Sequence, residues 1–200
     1  ACTAYLNGIF AFSVWCEEEK SLFLCRDRMG VKPLFYTERD GEILFASEIK
    51  SLLAHPTIKP IVDRQGLAGL LSIGPSRVLG KTVYKDIVEL KPAHYLKITP
   101  NEKRLVRYWD VTDQAHTDDE QQTIENVRLL LKNAIERQLV SDVPLCTFLS
   151  GGLDSSYITA IAANVYRASG KTLHTYSVDF EESELFFKKI IWHYILAFSS

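Results

Sequence analysis

The stretch CTFLSGGLDSSYITAIA, residues 146–162, decides how the second half of this chain is read. An apolar run stops at two adjacent glycines and resumes, after an acid and two serines, with helical spacing. A strand that ends in Gly-Gly and reopens as a helix leaves backbone amides, free of side-chain bulk, at the positive end of a helix dipole. Ser150, Ser155 and Ser156 add hydroxyl donors. Direct amide and hydroxyl bonds to a charged ligand contribute roughly 1.5 to 3 kcal/mol each, against about 0.3 to 1 from the dipole, so the donors would dominate anion binding. Asp154 would repel a phosphate unless a cation lay between them, and Mg²⁺ shared between a carboxylate and phosphate oxygens meets that need. The loop lacks the Lys of a Walker-type site. The plainer reading, a tight turn before a serine-capped helix, needs one glycine and one cap; two glycines, three hydroxyls and an acid in seven residues exceed it, so a nucleotide-phosphate site is expected.

Outward from this loop, VPLCTFLS (143–150) is a continuous apolar run of strand length, as expected for a parallel strand buried on both faces. TLHTYSVDF (172–180) is expected to be the next strand of one βαβ unit. Before the unit, Ile124, Val127, Leu130, Leu131, Ala134, Ile135 and Leu139 recur at three- and four-residue steps. They predict a core-packing helix with a solvated outer face, opened by a capping box of Thr117 with Glu120. The polar stretch before it reads as a linker, residues 111–122, which divides the chain into domains at 1–110 and 123–200.

The first domain alternates as strands do. GIFAFSVWC and SLFLCRDR form a hairpin around EEEK, in which Cys16 faces Ser21 and Cys25 faces Phe12. VKPLFYTERDGEILFAS turns at Arg39, Asp40 and Gly41, where Asp-Gly supplies positive φ. Short helices follow, one capped by Ser47 and limited by Pro56, the other opened by Asp63 and closed by Gly74 and Pro75. A long polar loop then leads to the strand-like AHYLKI.

Two hundred residues at 46% hydrophobic and 24% charged are an ordinary globular composition. With a formal charge of −2 and no basic face, neither nucleic acid nor a membrane surface is expected as a partner. Cys2, Cys16, Cys25 and Cys146 show no CxxC pair, so neither a zinc site nor a disulfide framework is expected, and the cytoplasm is the default compartment. Ala1 suggests a start inside a longer chain. The final KKIIWHYILAFSS is shorter than a membrane span and reads as a buried element or a non-native tail.

SGGLDSS resembles the signature loop of the ATP pyrophosphatases, in which the loop holds the pyrophosphate of ATP. LNGIFAFSVW, LFLCRDRMGVKPLFY and LFASEIKSLL resemble the later part of the class II glutamine amidotransferase domain, while VYKDIVELKPAHYLKI and RYWD resemble the stretch that joins it to a synthetase domain. In this order, over roughly residues 5–187, they resemble the glutamine-dependent asparagine synthetases. The resemblance implies an α+β region, part of an amino-terminal-nucleophile glutaminase sandwich, followed by an α/β region, a truncated parallel sheet like that of the adenine nucleotide alpha-hydrolases. It implies ATP and Mg²⁺, with aspartate and glutamine or ammonia as further small-molecule substrates. Aspartate would be activated as β-aspartyl-AMP and amidated by ammonia released from glutamine.

By position, Ser150, Gly151, Gly152, Asp154, Ser155 and Ser156 would hold pyrophosphate and Mg²⁺, with Asp154 the metal ligand. Phe148 and Val178 match positions that contact adenosine, with core packing as the alternative for both. Cys2 is not the family's nucleophile, which begins the mature chain before Gly-Ile; Asn7 and Gly8 only imitate the oxyanion pair. Arg26, Asp27, Arg28 and Lys32 read as a buried ion-pair turn. The later synthetase motifs would lie beyond Ser200, and the chain alone is expected to be inactive. A sheet this small with an open edge favours association, and a homodimer is one arrangement open to it. A β-lactam synthetase-like ligase, or a remnant that binds nucleotide or a partner without turnover, remain alternatives.

Overall fold

The computed structural model describes residues 2–73, 78–181 and 189–195, which divide into a unit at Ala1–Gln114 and a second at Ala115–Ser200.

In the first unit, β1 (Ala11–Cys16) and β2 (Ser21–Arg26) pair antiparallel in the expected register, Cys16 against Ser21 and Phe12 against Cys25. The four cysteines are free. β3 (Phe35–Arg39) and β4 (Glu42–Ala46) close on the two-residue turn Asp40-Gly41, with φ of +52° and +80°. Both angles are positive, as a hairpin turn that follows the strand twist requires.

α1 (Ile49–Leu53) is capped by Glu48, not Ser47, and Glu48 makes no side-chain cap bond; its carboxylate instead pairs with Lys50 at 2.6 Å. α2 (Arg64–Ile73) opens as expected, since the Gly66 amide donates to Asp63 Oδ1 at 2.7 Å; Gly74 and Pro75, expected to close it, lie outside the described residues. The long loop contains a short strand, β5 (Val88–Glu89). β6 (His94–Ile98) matches AHYLKI and is followed by β7 (Lys103–Arg107), which the sequence did not announce because its alternation is masked by basic residues.

Two antiparallel sheets result, ordered β1-β2-β6-β7 and β4-β3-β5. Leu24, Leu34, Tyr36, Leu90 and Leu96 pack one core, and Phe35, Leu52, Ile58 and Ile87 another. Neighbouring Phe35 and Tyr36 point to opposite faces of β3, so that strand contributes to both cores. Complete burial of each leucine contributes roughly 1.5 to 3 kcal/mol.

The turn after β2 is held by charge. Arg26 is buried and donates to the carbonyls of Lys32, Gly30 and Leu90 at 2.6 to 2.7 Å and to Glu89 at 2.9 Å. Asp27 accepts the amides of Met29, Val31 and Lys32 at 3.0 to 3.1 Å. The expected ion-pair turn is therefore corrected. The acid that neutralises Arg26 comes from β5, Asp27 serves the backbone, and Arg28 stacks over Trp109 at 5.7 Å.

The second unit opens with α3 (Glu120–Gln138), capped by Asp119 and Gln122 rather than Thr117 and Glu120. The Asp119 carboxylate accepts the Gln122 amide at 2.8 Å, and the Gln122 side chain accepts the Asp119 amide at 3.1 Å. The helix thus begins inside the expected linker. None of its residues is buried, so the expected core-packing face is also corrected. β8 (Cys146–Phe148), α4 (Leu153–Ala168) and β9 (His174–Glu181) form the βαβ unit, with β8 and β9 parallel. The apolar end stretch supplies β10 (Lys189–Ile195), antiparallel to β9, and residues 196–200 lie outside the described set. Among the described residues, no helix is long and apolar enough to cross a membrane.

Candidate phosphate-binding loop

β8 delivers the chain to the loop. Its last register pair is Phe148 with Tyr176, after which the Leu149 amide donates to the Tyr176 carbonyl at 2.8 Å. Gly151 then takes φ +82°, a conformation that strains any residue with a Cβ. A Cβ built there meets nothing within 4 Å, so the glycine is required by backbone geometry and not by crowding.

Gly152 is the N-cap of α4 and offers no side-chain cap. The first amides of a helix have no intrahelical acceptor, so those of Leu153, Asp154 and Ser155 remain donors in search of a partner. Ser155 stiffens the bend: its hydroxyl lies 3.0 Å from Ser150 Oγ, accepts the Ser150 amide at 3.3 Å and donates to the Gly152 carbonyl at 3.1 Å. Ser150, Gly151, Gly152, Asp154 and Ser156 are all exposed. The bend is unsealed.

Asp154 lies in the first turn of α4. Among the described residues no three metal-ligating side chains cluster, so these residues form no cage of their own for a cation. A lone exposed carboxylate beside free amides does fit Mg²⁺ carried on phosphate oxygens, which typically uses only one or two protein carboxylates.

α4 packs on one face of the small sheet. Thr159 Oγ1 donates to Thr147 Oγ1 at 3.0 Å, and the Leu145 amide donates to Tyr166 Oη at 3.1 Å. Thr175, level with Thr147, is buried. Phe148 and Val178 are 64% and 43% exposed, which corrects both the two-sided burial expected for β8 and the core-packing alternative for these two residues. Phe148 is level with Tyr176, and Val178 is two residues further on, so all three share the face opposite α4. The structure thus groups the loop residues at one end of β8, with Phe148 and Val178 on a common open face. Sequence reasoning missed the supporting groups Thr147, Thr159 and Tyr166; their alternation and helical spacing were visible, but their mutual contact was not.

A family profile described as a glutamine amidotransferase domain matches residues 1–109, and one described as asparagine synthase matches residues 126–192. The chain belongs to the glutamine amidotransferase domain family. The second match passes Phe187, where the resemblance was expected to end. The chain is 54% identical to asparagine synthetase [glutamine-hydrolyzing] 3 of Bacillus subtilis (strain 168), over 94% of its own length and 31% of that protein. It is 37% identical to asparagine synthetase [glutamine-hydrolyzing] 2 of the same organism, over 86% of its length and 24% of that protein. It is also 35% identical to amidase chyE of Penicillium rubens, over 84% and 25%. The chain therefore spans about a quarter to a third of the length of these curated relatives.

Proposed function

We propose that this chain is part of a glutamine-dependent asparagine synthetase, and that residues 150–156 bind the pyrophosphate portion of ATP. The observation that carries the reading is the unsealed bend at Gly151-Gly152, with uncapped α4 amides and the hydroxyls of Ser150, Ser155 and Ser156 beside it. Bound ATP would supply the adenylyl group that activates the aspartate carboxylate, and glutamine would supply ammonia. The residues of this chain orient the polyphosphate by backbone donation, while Asp154 takes a share of Mg²⁺. Phe148 and Val178 offer an apolar surface for the adenine, supported by their common open face. A nucleotide-binding α/β domain akin to the adenine nucleotide alpha-hydrolases fits the parallel β8–α4–β9 unit. Four free cysteines suit the reducing cytoplasm.

Hydrogen exchange on the 200-residue chain tests the loop. Pyrophosphate with Mg²⁺ is expected to protect the amides of 151–155, and Asp154→Asn to reduce that protection only when Mg²⁺ is present. Unchanged exchange at saturating pyrophosphate sinks the assignment. A ligase of the same plan acting on another carboxylate, as β-lactam synthetases do, is a second reading. Assaying asparagine against other amide products with the longest natural form of the protein separates the two.

A further inference from the structure

Asn7-Gly8 is the one place in this chain where a glycine follows an asparagine, and the proposed function makes no use of it. Both residues are exposed, in the irregular segment between the turn Cys2–Ala4 and β1. Among the described residues, neither the Asn7 carboxamide nor the Gly8 amide has a hydrogen-bond partner. We propose that Asn7 is a site of spontaneous modification, at which the folded chain deamidates through a succinimide to isoaspartate and aspartate, with water as the only co-reactant.

The nucleophile is the chain's own backbone. The Gly8 nitrogen, once hydroxide has taken its proton, attacks Asn7 Cγ. A bond forms between them, the Cγ–Nδ2 bond breaks, and Nδ2 leaves as ammonia after taking a proton from water, which returns the hydroxide. Water then cleaves one of the two carbonyl bonds to the Gly8 nitrogen. Cleavage at Cγ leaves aspartate; cleavage at the Asn7 main-chain carbonyl leaves isoaspartate, with the backbone rerouted through Cγ. The net change turns one carboxamide and one water into one carboxylic acid and one ammonia, with no change of oxidation state.

Gly8 suits the attacking role because it has no Cβ to shield its nitrogen and its backbone turns freely. A Cβ built there meets nothing within 4 Å, so no neighbour holds the segment in place. The other asparagines are restrained. Asn126, Asn133 and Asn164 lie inside α3 and α4, where the helix ladder holds the next residue's amide, and Asn126 also donates to Asp118 at 2.7 Å. At Asn101 the following amide, that of Glu102, donates to Thr99 Oγ1 at 3.0 Å. Asp40-Gly41 has the glycine, but a carboxylate is a much poorer electrophile than a carboxamide, and the pair is fixed in the β3–β4 turn.

Modification adds one negative charge, taking the formal charge from −2 to −3, and isoaspartate also adds one carbon to the main chain. The Phe10 carbonyl accepts the Asp27 amide at 2.9 Å, so the extra length is absorbed upstream of β1 and the strand keeps its register.

The test is incubation of the 200-residue chain in heavy-oxygen water at mildly alkaline pH, followed by peptide mass spectrometry with electron-transfer fragmentation, which distinguishes the two products. Asn7 is expected to convert first among the asparagines, to take up one labelled oxygen, and to do so at a rate that rises in proportion to hydroxide and changes little when urea unfolds the chain. Gly8→Ala, which neither a positive φ nor crowding forbids, should slow the conversion several-fold with unchanged far-ultraviolet circular dichroism. Asn7 left intact in the folded chain while the urea-unfolded chain converts it, earlier conversion of another asparagine, or an unslowed Gly8→Ala would each overturn the proposal.

Discussion

Arg26 Nη1 lies 2.9 Å from Glu89 Oε1 with both side chains about 95% buried, and this contact ties the end of β2 in one sheet to β5 in the other. Removing one partner of such a pair leaves a buried charge uncompensated and typically costs about 3–5 kcal/mol. Glu89→Gln is expected to destabilise the first unit by that order. Arg26→Met should cost more, because the carbonyls of Lys32, Gly30 and Leu90 lose their donor as well. Urea titration of the two variants checks the order; a milder Arg26→Met would show that the carbonyls find water.

Asp27 accepts through both oxygens, Oδ1 from Met29 and Val31 and Oδ2 from Lys32. Asp27→Asn keeps one acceptor and should be less damaging than Asp27→Ala, which strands all three amides. The alanine variant is expected to lose at least about 3 kcal/mol, from charge-assisted bonds of roughly 1.5 to 3 kcal/mol each. Equal losses for both variants would argue against the assigned geometry.

Two glycines at positive φ should respond differently to alanine. At Gly30 the φ is +67° and a Cβ would lie 2.6 Å from Pro92 Cγ, so strain and collision add. At Gly151 the φ is +82° but the space is open, so only the backbone strain of roughly 1–2 kcal/mol applies. Thermal melts should rank Gly30→Ala well below Gly151→Ala, while pyrophosphate protection, under the proposed function, should fail only in Gly151→Ala.

Burial pushes the Cys25 thiol up from 9.0 to about 12, and the Tyr108 phenol, which donates to the Arg26 carbonyl at 2.6 Å, from 10.0 to about 12 for the same reason. Both groups hold their protons more tightly folded than unfolded. Their contribution is fully present below about pH 9, declines as the unfolded chain ionises above that, and is lost as pH rises through about 12. Stability measured against pH should fall over that alkaline window, and Cys25→Ala with Tyr108→Phe should flatten the slope. An unchanged slope would mean that other groups set it.

Cys2 sits exposed in a single 3₁₀ turn, Cys2–Ala4. It precedes Thr-Ala, not the Gly-Ile that the resemblance implies after the family's nucleophile. Cys2→Ala is therefore expected to leave any glutamine hydrolysis by the chain unchanged. A fall in ammonia release would assign Cys2 a role.

Much of this was legible along the chain because its causes are local. The alternation of GIFAFSVWC and SLFLCRDR set the Cys16–Ser21 register, and Asp40-Gly41 set the second hairpin through positive φ. Gly151-Gly152 and Ser155 announced an amide-rich bend before a helix, and the bend is there. Cap identity was harder to read. Thr117 and Asp119 both precede α3 with a residue able to reciprocate three positions on, and it is Asp119 that takes the extended cap conformation, with φ −71° and ψ 175°.

Tertiary structure alone decided which apolar residues are covered and which charge meets which. Glu89, 63 positions further along the chain, reaches Arg26 only because β5 lies against β3, and no local pattern encodes that meeting. The spacing of Ile124, Val127 and Leu131, and the apolar run through Phe148, specified a helix and a strand but could not specify what covers them. Periodicity is a property of a segment's own backbone geometry, whereas burial is a property of the neighbours it finds.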